Sequence, residues 1–384
     1  MLIGQPERDL VNPGLEGDAI TKALTSLTEH QRAALMKREM ERIKTEPLDR
    51  SALDNLSLLE SLSNNTSQAE AFALESASRT LRDVQSQLSV LNLYIVKKDY
   101  AKAMYHLDSI LVSDPQLAPS LFPGVVANLE DDNSMNQFAK TLNRNPPWRG
   151  EFFTWLNAND KSDELTFKIF NQLRKQGGEV TTFETLDYLR KIISRRDYDR
   201  AYFVWLDSLD PFALRKVGNI FDGDFDLEAK NLYFDWTLYP LVNSEIGIVA
   251  RRNDPTNRAL RLAFYNSTEM FANALQYLRL RSGSYLFTGQ EAANGFKTVA
   301  GLKLFVFCVD SGALLGESIA FRDSAAWQNF SFEFKVPDEA CQTQVLRIQS
   351  ASPAVLDAKM DGEVLFDSFD VSPADTTPDP RGIK

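Results

Sequence analysis

Near Val217 the spacing of apolar residues changes period, and no single kind of core accommodates both spacings. Upstream they recur three and four apart, as in Leu74, Ala77, Leu81, Val84, Leu88, Leu91 and Ile95, which gathers them on one face of a helix. Chain breakers fall between such runs, at Pro47, Asn64-Asn65, Asp114-Pro115, Pro146-Pro147 and Gly177-Gly178. Downstream the period is two: Phe330, Phe332, Phe334 and Val336 point one way, Ser331, Glu333 and Lys335 the other. A multidomain α and β chain is expected. Residues 17–216 read as an α-solenoid and 217–372 as an antiparallel β-sandwich. The first 16 residues read as a disordered or trimmed N-terminus, and 373–384, rich in Pro and Asp, as a disordered tail. With 384 residues, 43% of them hydrophobic, there is apolar material for two cores.

The helical part carries internal similarity. Pro47 and Pro115 stand 68 residues apart, twice the 34-residue tetratricopeptide period. A shift of 34 brings Asn65 onto Asp99 and Ala69 onto Ala103. The segment KKDYAKAMYHLDSILVSDP (97–115) has an Asp-Tyr at the inter-helix turn, a small Ala103 where two helices approach, and a Pro after the helix. RRDYDRAYFVWLDSLDP (195–211) repeats these offsets with Asp197, Tyr198 and Ala201. Helix pairs of this kind hide their apolar faces only by stacking. Degenerate tetratricopeptide repeats are therefore expected over residues 30–115, with the period drifting from there to 214.

In the rear part, strands are expected at Ala259–Phe264, Ala274–Leu280, Ser284–Gly289, Leu302–Val309, Phe330–Val336 and Thr343–Gln349. About eight short strands over this length suit a sandwich or jelly roll. The run LKLFVFCV (302–309) is apolar on both faces, which fits a central strand covered on each side or one whose outer face lines a groove.

The net charge of -11 repels phosphate backbones, so nucleic acid is not an expected partner. No apolar run of membrane-spanning length occurs, and MLIGQPERDLVNPG has neither the basic nor the apolar region of a secretory signal. His30 and His106 both fall in the helical part, and neither phosphate-loop nor dinucleotide-binding glycine motifs occur, so an enzyme is not expected. The two cysteines, Cys308 and Cys341, read on spacing alone as either two buried thiols or one bridge.

Several segments together resemble a family of bacterial tetratricopeptide proteins associated with exopolysaccharide synthesis and export. NRNPPWRGEFFTWL (143–156) is the telling segment in the helical part. NIFDGDFDLEAKNLYFDWTL (219–238) looks like the first strand of jelly-roll carbohydrate-binding modules, and GEVLFDSFDV (362–371) like their last. SAAWQNFSFEFKVPDEACQTQVLRIQS (324–350) is similar to the Trp strand, Val-Pro turn and following strand of such modules. The resemblance implies a non-enzymatic scaffold or adaptor, periplasmic or associated with the cell envelope. Its solenoid would hold a protein partner of a polysaccharide system, and its jelly roll would contact glycan. It further implies a Cys308–Cys341 disulfide and a structural calcium ion near Asp224, Asp226 and Asp367.

Sugar binding needs an aromatic face for the C–H side of a pyranose and polar groups for its hydroxyls. Trp236, Tyr239, Tyr265, Gln276, Tyr277 and Tyr285 are the candidates, Trp236 and Gln276 foremost, with Arg279 on a neighbouring strand. Phe305 and Phe307 would flank such a groove if they face outward. Trp327, opening the Phe-alternating strand, reads as packing. Two rival functions stand beside this one: a jelly roll that has lost sugar binding and serves only protein contacts, and a glycan-active enzyme using paired carboxylates.

Overall fold

The computed structural model describes residues 24–47, 49–79, 84–159, 164–252, 254–352, 354 and 358–374. The expected disordered N-terminus and residues 375–384 of the expected tail lie outside them. The chain forms two compact units, residues 1–180 and 181–384. Among the described residues, no helix is long and apolar enough to cross a membrane.

The first unit is helical. Its longer described helices are α1 (Glu29–Thr45), α2 (Arg50–Leu62), α3 (Thr66–Arg79), α4 (Val84–Val96), α5 (Tyr100–Ser113), α6 (Ala118–Ala127), α7 (Asp132–Leu142), α8 (Arg149–Asn159) and α9 (Glu164–Lys175). Starts are set by side chains that accept otherwise unpaired N–H groups. Thr28 and Gln31 form a reciprocal capping box at α1, and Asp49, Asp99 and Asp131 cap α2, α5 and α7. On α5 the buried residues are Tyr100, Ala103, Met104, Leu107, Ile110 and Leu111, the helical spacing seen in the sequence.

The 34-residue offset has a backbone counterpart. Asn64 and Lys98, one residue before Asn65 and Asp99, both adopt the left-handed conformation, with φ of 60° and 56°. Ala69 and Ala103 are both buried. Further on, Phe122, Phe138, Trp148, Phe152 and Phe153 build an aromatic core; Phe138 and Phe152 meet edge to face at 4.8 Å. The PPWR segment anchors it. Trp148 Nε1 donates to Asp108 (2.8 Å), and Arg149 donates to the carbonyls of Leu142 (3.1 Å) and Glu179 (2.7 Å).

The second unit opens with α10 (Thr182–Ser194), α11 (Tyr198–Asp207) and the single turn α12 (Pro211–Leu214). The expected boundary at 216/217 marks where helix ends; the compact unit already begins at Thr181. Long-range aromatic contacts give the reason. Trp205 of α11 packs edge-on against Phe221 (5.0 Å) and beside Phe234 (5.7 Å), and Tyr202 meets Phe234 at 5.2 Å. The turn before α11 repeats that of α5: Arg196 at φ 61°, an Asp197 cap, then buried Tyr198 and Ala201.

Among the described residues ten strands follow: β1 (Thr237–Leu238), β2 (Ser244–Arg251), β3 (Asp254–Ser267), β4 (Ala274–Leu278), β5 (Gly283–Thr298), β6 (Leu302–Cys308), β7 (Leu314–Glu317), β8 (Ala325–Val336), β9 (Gln344–Ser350) and β10 (Met360–Pro373). They make two five-stranded sheets, β1-β4-β9-β6-β7 (sheet A) and β2-β3-β10-β5-β8 (sheet B), with every pairing antiparallel. The result is a two-layer domain reminiscent of a jelly roll. Phe330, Phe332, Phe334 and Val336 of β8 all join the core between the sheets, as their alternation predicts. β10 lies centrally in sheet B and runs to Pro373, inside the segment expected as tail.

One expected strand is missing. The NIFDGDFDLEAKNLYFDW segment forms no ladder, because side chains take its backbone donors locally. The Asp222 carboxylate accepts from the N–H groups of Asp226 (3.1 Å) and Leu227 (3.0 Å), Asp235 from that of Lys230 (2.9 Å), and Asn231 from that of Leu238 (2.8 Å). Gly223 sits so close to β10 that a Cβ there would lie 1.9 Å from the Phe369 carbonyl oxygen.

Candidate functional site

Alternation decides which side chains of sheet A meet the core. On β6, Leu302, Leu304, Val306 and Cys308 point inward, and on β9 so do Leu346 and Ile348. Lys303, Phe305 and Phe307 of β6, and Val345, Arg347 and Gln349 of β9, therefore occupy the opposite face. The pairing aligns them in rows: Leu275, Arg347, Phe305 and Glu317 in one, Tyr277, Val345, Phe307 and Leu314 in the next. Gln349 stands opposite Lys303.

Phe305 and Phe307, both on β6, lie nearly parallel, 13° between planes and 5.7 Å between centroids. Lys303 Nζ stands 5.9 Å from the Phe305 centroid and pairs with Glu317 at 2.7 Å. The Arg347 guanidinium stands 5.8 Å from the Phe307 centroid. The face thus combines flat apolar surface with an amide, an ammonium, a carboxylate and a guanidinium. That is the chemistry sugar recognition requires. On the outer face of LKLFVFCV, Phe307 is half-buried and Phe305 is only 7% exposed.

The six sequence candidates scatter. Trp236 has no exposed surface; its ring packs on Phe225 (5.0 Å) and Phe369 (5.9 Å), and Nε1 donates to the Asp222 carbonyl (3.3 Å). Gln276 is equally buried, donating to the Phe221 carbonyl and accepting from the Phe221 N–H, both at 2.9 Å. Both hold the lead-in segment onto the sandwich, so neither can meet a sugar. Tyr285 is buried against Phe334 (5.5 Å) and donates to the Arg281 carbonyl (3.0 Å). Tyr265 is exposed but belongs to β3 of the other sheet. Tyr277 alone shares the rows with Phe307, and it meets Tyr233 edge to face at 5.3 Å. Tyr239 is exposed just beyond β1, its N–H donating to the Asn273 carbonyl (3.0 Å). Arg279 is engaged with Asp199 of α11. Burial raises the phenols of Tyr277 and Tyr233, so both are neutral donors at ordinary pH.

Trp327 departs from its expected packing role. It is 37% exposed, with the Arg251 guanidinium 3.7 Å above its ring. Residues that sequence reasoning missed are Arg347 and Gln349, whose outward position follows from the alternation of QVLRIQS, and Lys303, which shares the strand of Phe305.

The three candidate calcium ligands each face a protein cation instead. Lys216 pairs with Asp226 and stands 3.7 Å from Asp224, while Arg251 pairs with Asp367. Among the described residues, no group of three or more His, Cys, Asp or Glu is arranged to hold a metal. Cys308 and Cys341 are joined as a disulfide, their Cα atoms 5.4 Å apart. His106 is stacked on Tyr94 (5.6 Å), edge-on to Tyr105 (5.3 Å), and bonded through Nδ1 to Gln87 (2.6 Å); burial lowers its pKa.

No protein-family model matches the sequence, and no curated protein matches it. Among solved structures the chain is similar to one described as "CBM4 structure and function", at 17% identity and a TM-score of 0.31, over 40% of this chain and 99% of that one. It is also similar to a CBM22-1 xylan-binding domain from Paenibacillus barcinonensis, at 16% identity and a TM-score of 0.25, over 36% and 85%. A third is the CBM22-1–GH10 modules of a Clostridium thermocellum endo-1,4-beta-D-xylanase complexed with xylohexaose. There identity is 19%, the TM-score 0.25, and the match spans 38% of this chain but only 27% of that one.

Proposed function

We propose that the β-domain is a non-enzymatic glycan-contacting module, and that the chain is an adaptor in the assembly or secretion of a bacterial exopolysaccharide. The observation that carries the reading is the half-buried Phe307 ring on the outer face of sheet A, stacked on the buried Phe305 and framed by Lys303, Arg347 and Gln349. An aromatic ring outside the core cluster, on a face that also bears hydrogen-bonding groups, suits a ligand with apolar and hydroxylated sides.

The helical unit, read as degenerate tetratricopeptide repeats, would take the protein partner. A groove of about 330 Å³ supports this, lined by Leu58, Ala69, Ala73, Leu93 and Val96 among others, with Val96 strongly exposed. The disulfide suits a periplasmic or envelope location, where thiols are oxidised.

The test is glycan binding by the full chain and by Phe307→Ala. The variant should keep its melting temperature within a few degrees, since Phe307 is outside the core cluster, and lose most of the wild-type glycan signal. An unchanged signal in Phe307→Ala contradicts the assigned face. Release of reducing sugar from a polysaccharide by the wild type contradicts the non-enzymatic role. Capture of a defined synthase or export subunit, with no glycan bound across a broad array, would favour the purely structural reading.

A further inference from the structure

Arg347 stands in the middle of the outer face of sheet A, on β9, paired across to Leu275 on one side and Phe305 on the other. Several other cations of the domain have carboxylates beside them. Lys303 pairs with Glu317, Arg261 with Glu363 (2.7 Å) and Glu245 (3.1 Å), Arg279 with Asp199, and Arg251 with Asp367. Arg347 is set differently. Its guanidinium lies against the Phe307 ring, and its Nε is buried with no hydrogen-bond partner among the described residues. Glu317, the carboxylate in the same row, is already neutralised by Lys303.

A partly desolvated guanidinium without a counter-ion is costly in a folded protein, and its rigid planar fork matches a carboxylate through two parallel hydrogen bonds. Beside it the half-buried Phe307 ring, backed by Phe305, offers apolar surface at the distance of one side chain. A ligand that satisfies both at once carries a carboxylate on a sugar ring. We propose that the outer face of sheet A is selective for uronate-bearing glycans, with Arg347 taking the sugar carboxylate and Phe307, backed by Phe305, taking the ring. This rests on the glycan reading above and adds the class of sugar. The charge on Arg347 should also make binding weaken with added salt.

The experiment titrates the full chain with uronate oligosaccharides (oligogalacturonate, oligomannuronate and oligoglucuronate), with their methyl esters, and with neutral and sulfated oligosaccharides. The wild type should bind at least one uronate series about tenfold or more tighter than its ester. Arg347→Gln should erase that difference, Arg347→Lys should restore part of it, and Phe307→Ala should weaken acid and ester alike. Equal affinity for acid and ester, or retained preference in Arg347→Gln, overturns the inference. So does a preference for sulfated over uronate sugars. Binding of neutral glycans alone removes the uronate selectivity but leaves the glycan module standing. No binding of any glycan removes both.

Discussion

The two faces of sheet A are written on the same strands, one residue out of step, and they do opposite things. The inner face, Leu302, Leu304, Val306, Leu346 and Ile348, is closed against sheet B and has no exposed surface. The outer face carries Phe305 and Phe307, as apolar as anything inside, yet it mixes them with Lys303, Arg347 and Gln349. Aromatic content alone therefore does not distinguish the two faces; the polar groups beside the rings do. Trp236 makes the same point from the other side. The largest aromatic candidate is surrounded by Phe225 and Phe369 and serves only the fold.

Truncating an inner residue should sharpen this contrast most. Trp236→Ala removes a fully buried ring and the bond from its Nε1 to the Asp222 carbonyl, and should cost about 3–5 kcal/mol, measured by denaturant unfolding of the full chain. A cost near that of an exposed residue would break the inner–outer distinction. Next comes the disulfide, which closes a separation of 33 residues between β6 and the turn before β9. Its reduction should lower stability by about 3–4 kcal/mol in the chain-entropy account, read as a fall in unfolding midpoint with reductant.

A smaller, pH-dependent effect belongs to the buried lead-in segment. Burial, with Asp222 nearby, pushes Asp235 up to about 6 from an ordinary 3.8. The folded chain then holds a proton that the unfolded chain has released, so stability falls as pH rises through this window and the loss is complete above about pH 6. Asp235→Asn keeps an oxygen to accept the Lys230 N–H and carries no charge. It should match the wild type near pH 4 and exceed it at pH 7 by up to about 3 kcal/mol, seen in melting curves at the two pH values. An identical pH dependence in variant and wild type would show that Asp235 is ionised at no cost.

Periodicity made much of the architecture legible. The change near Val217, the two Asp-Tyr turns, and the inward phenylalanines of β8 all follow from local spacing, but LKLFVFCV, apolar on both faces, leaves open which of its sides meets the core. What escaped depends on contacts far along the chain. Whether Trp236 is exposed is decided by Phe369, and whether Gln276 is free is decided by Phe221. Trp205 joins its helix to the second unit through Phe221 and Phe234, a contact that no helical pattern announces. The ion pair that Asp367 makes with Arg251 is also set by a residue distant in the chain. Arg347 was legible as outward, but its lack of a carboxylate is a property of its neighbours.

The central claim is that glycan meets the outer face of sheet A and nowhere in the core. Side-chain NMR of the full chain, labelled at Phe and Arg and titrated with a bound oligosaccharide, tests it most directly. Shifts should concentrate at Phe305, Phe307 and Arg347, leaving Phe332 and Phe366 unmoved. Shifts confined to Arg251, on the other sheet beside Trp327, would place the sugar elsewhere and contradict it.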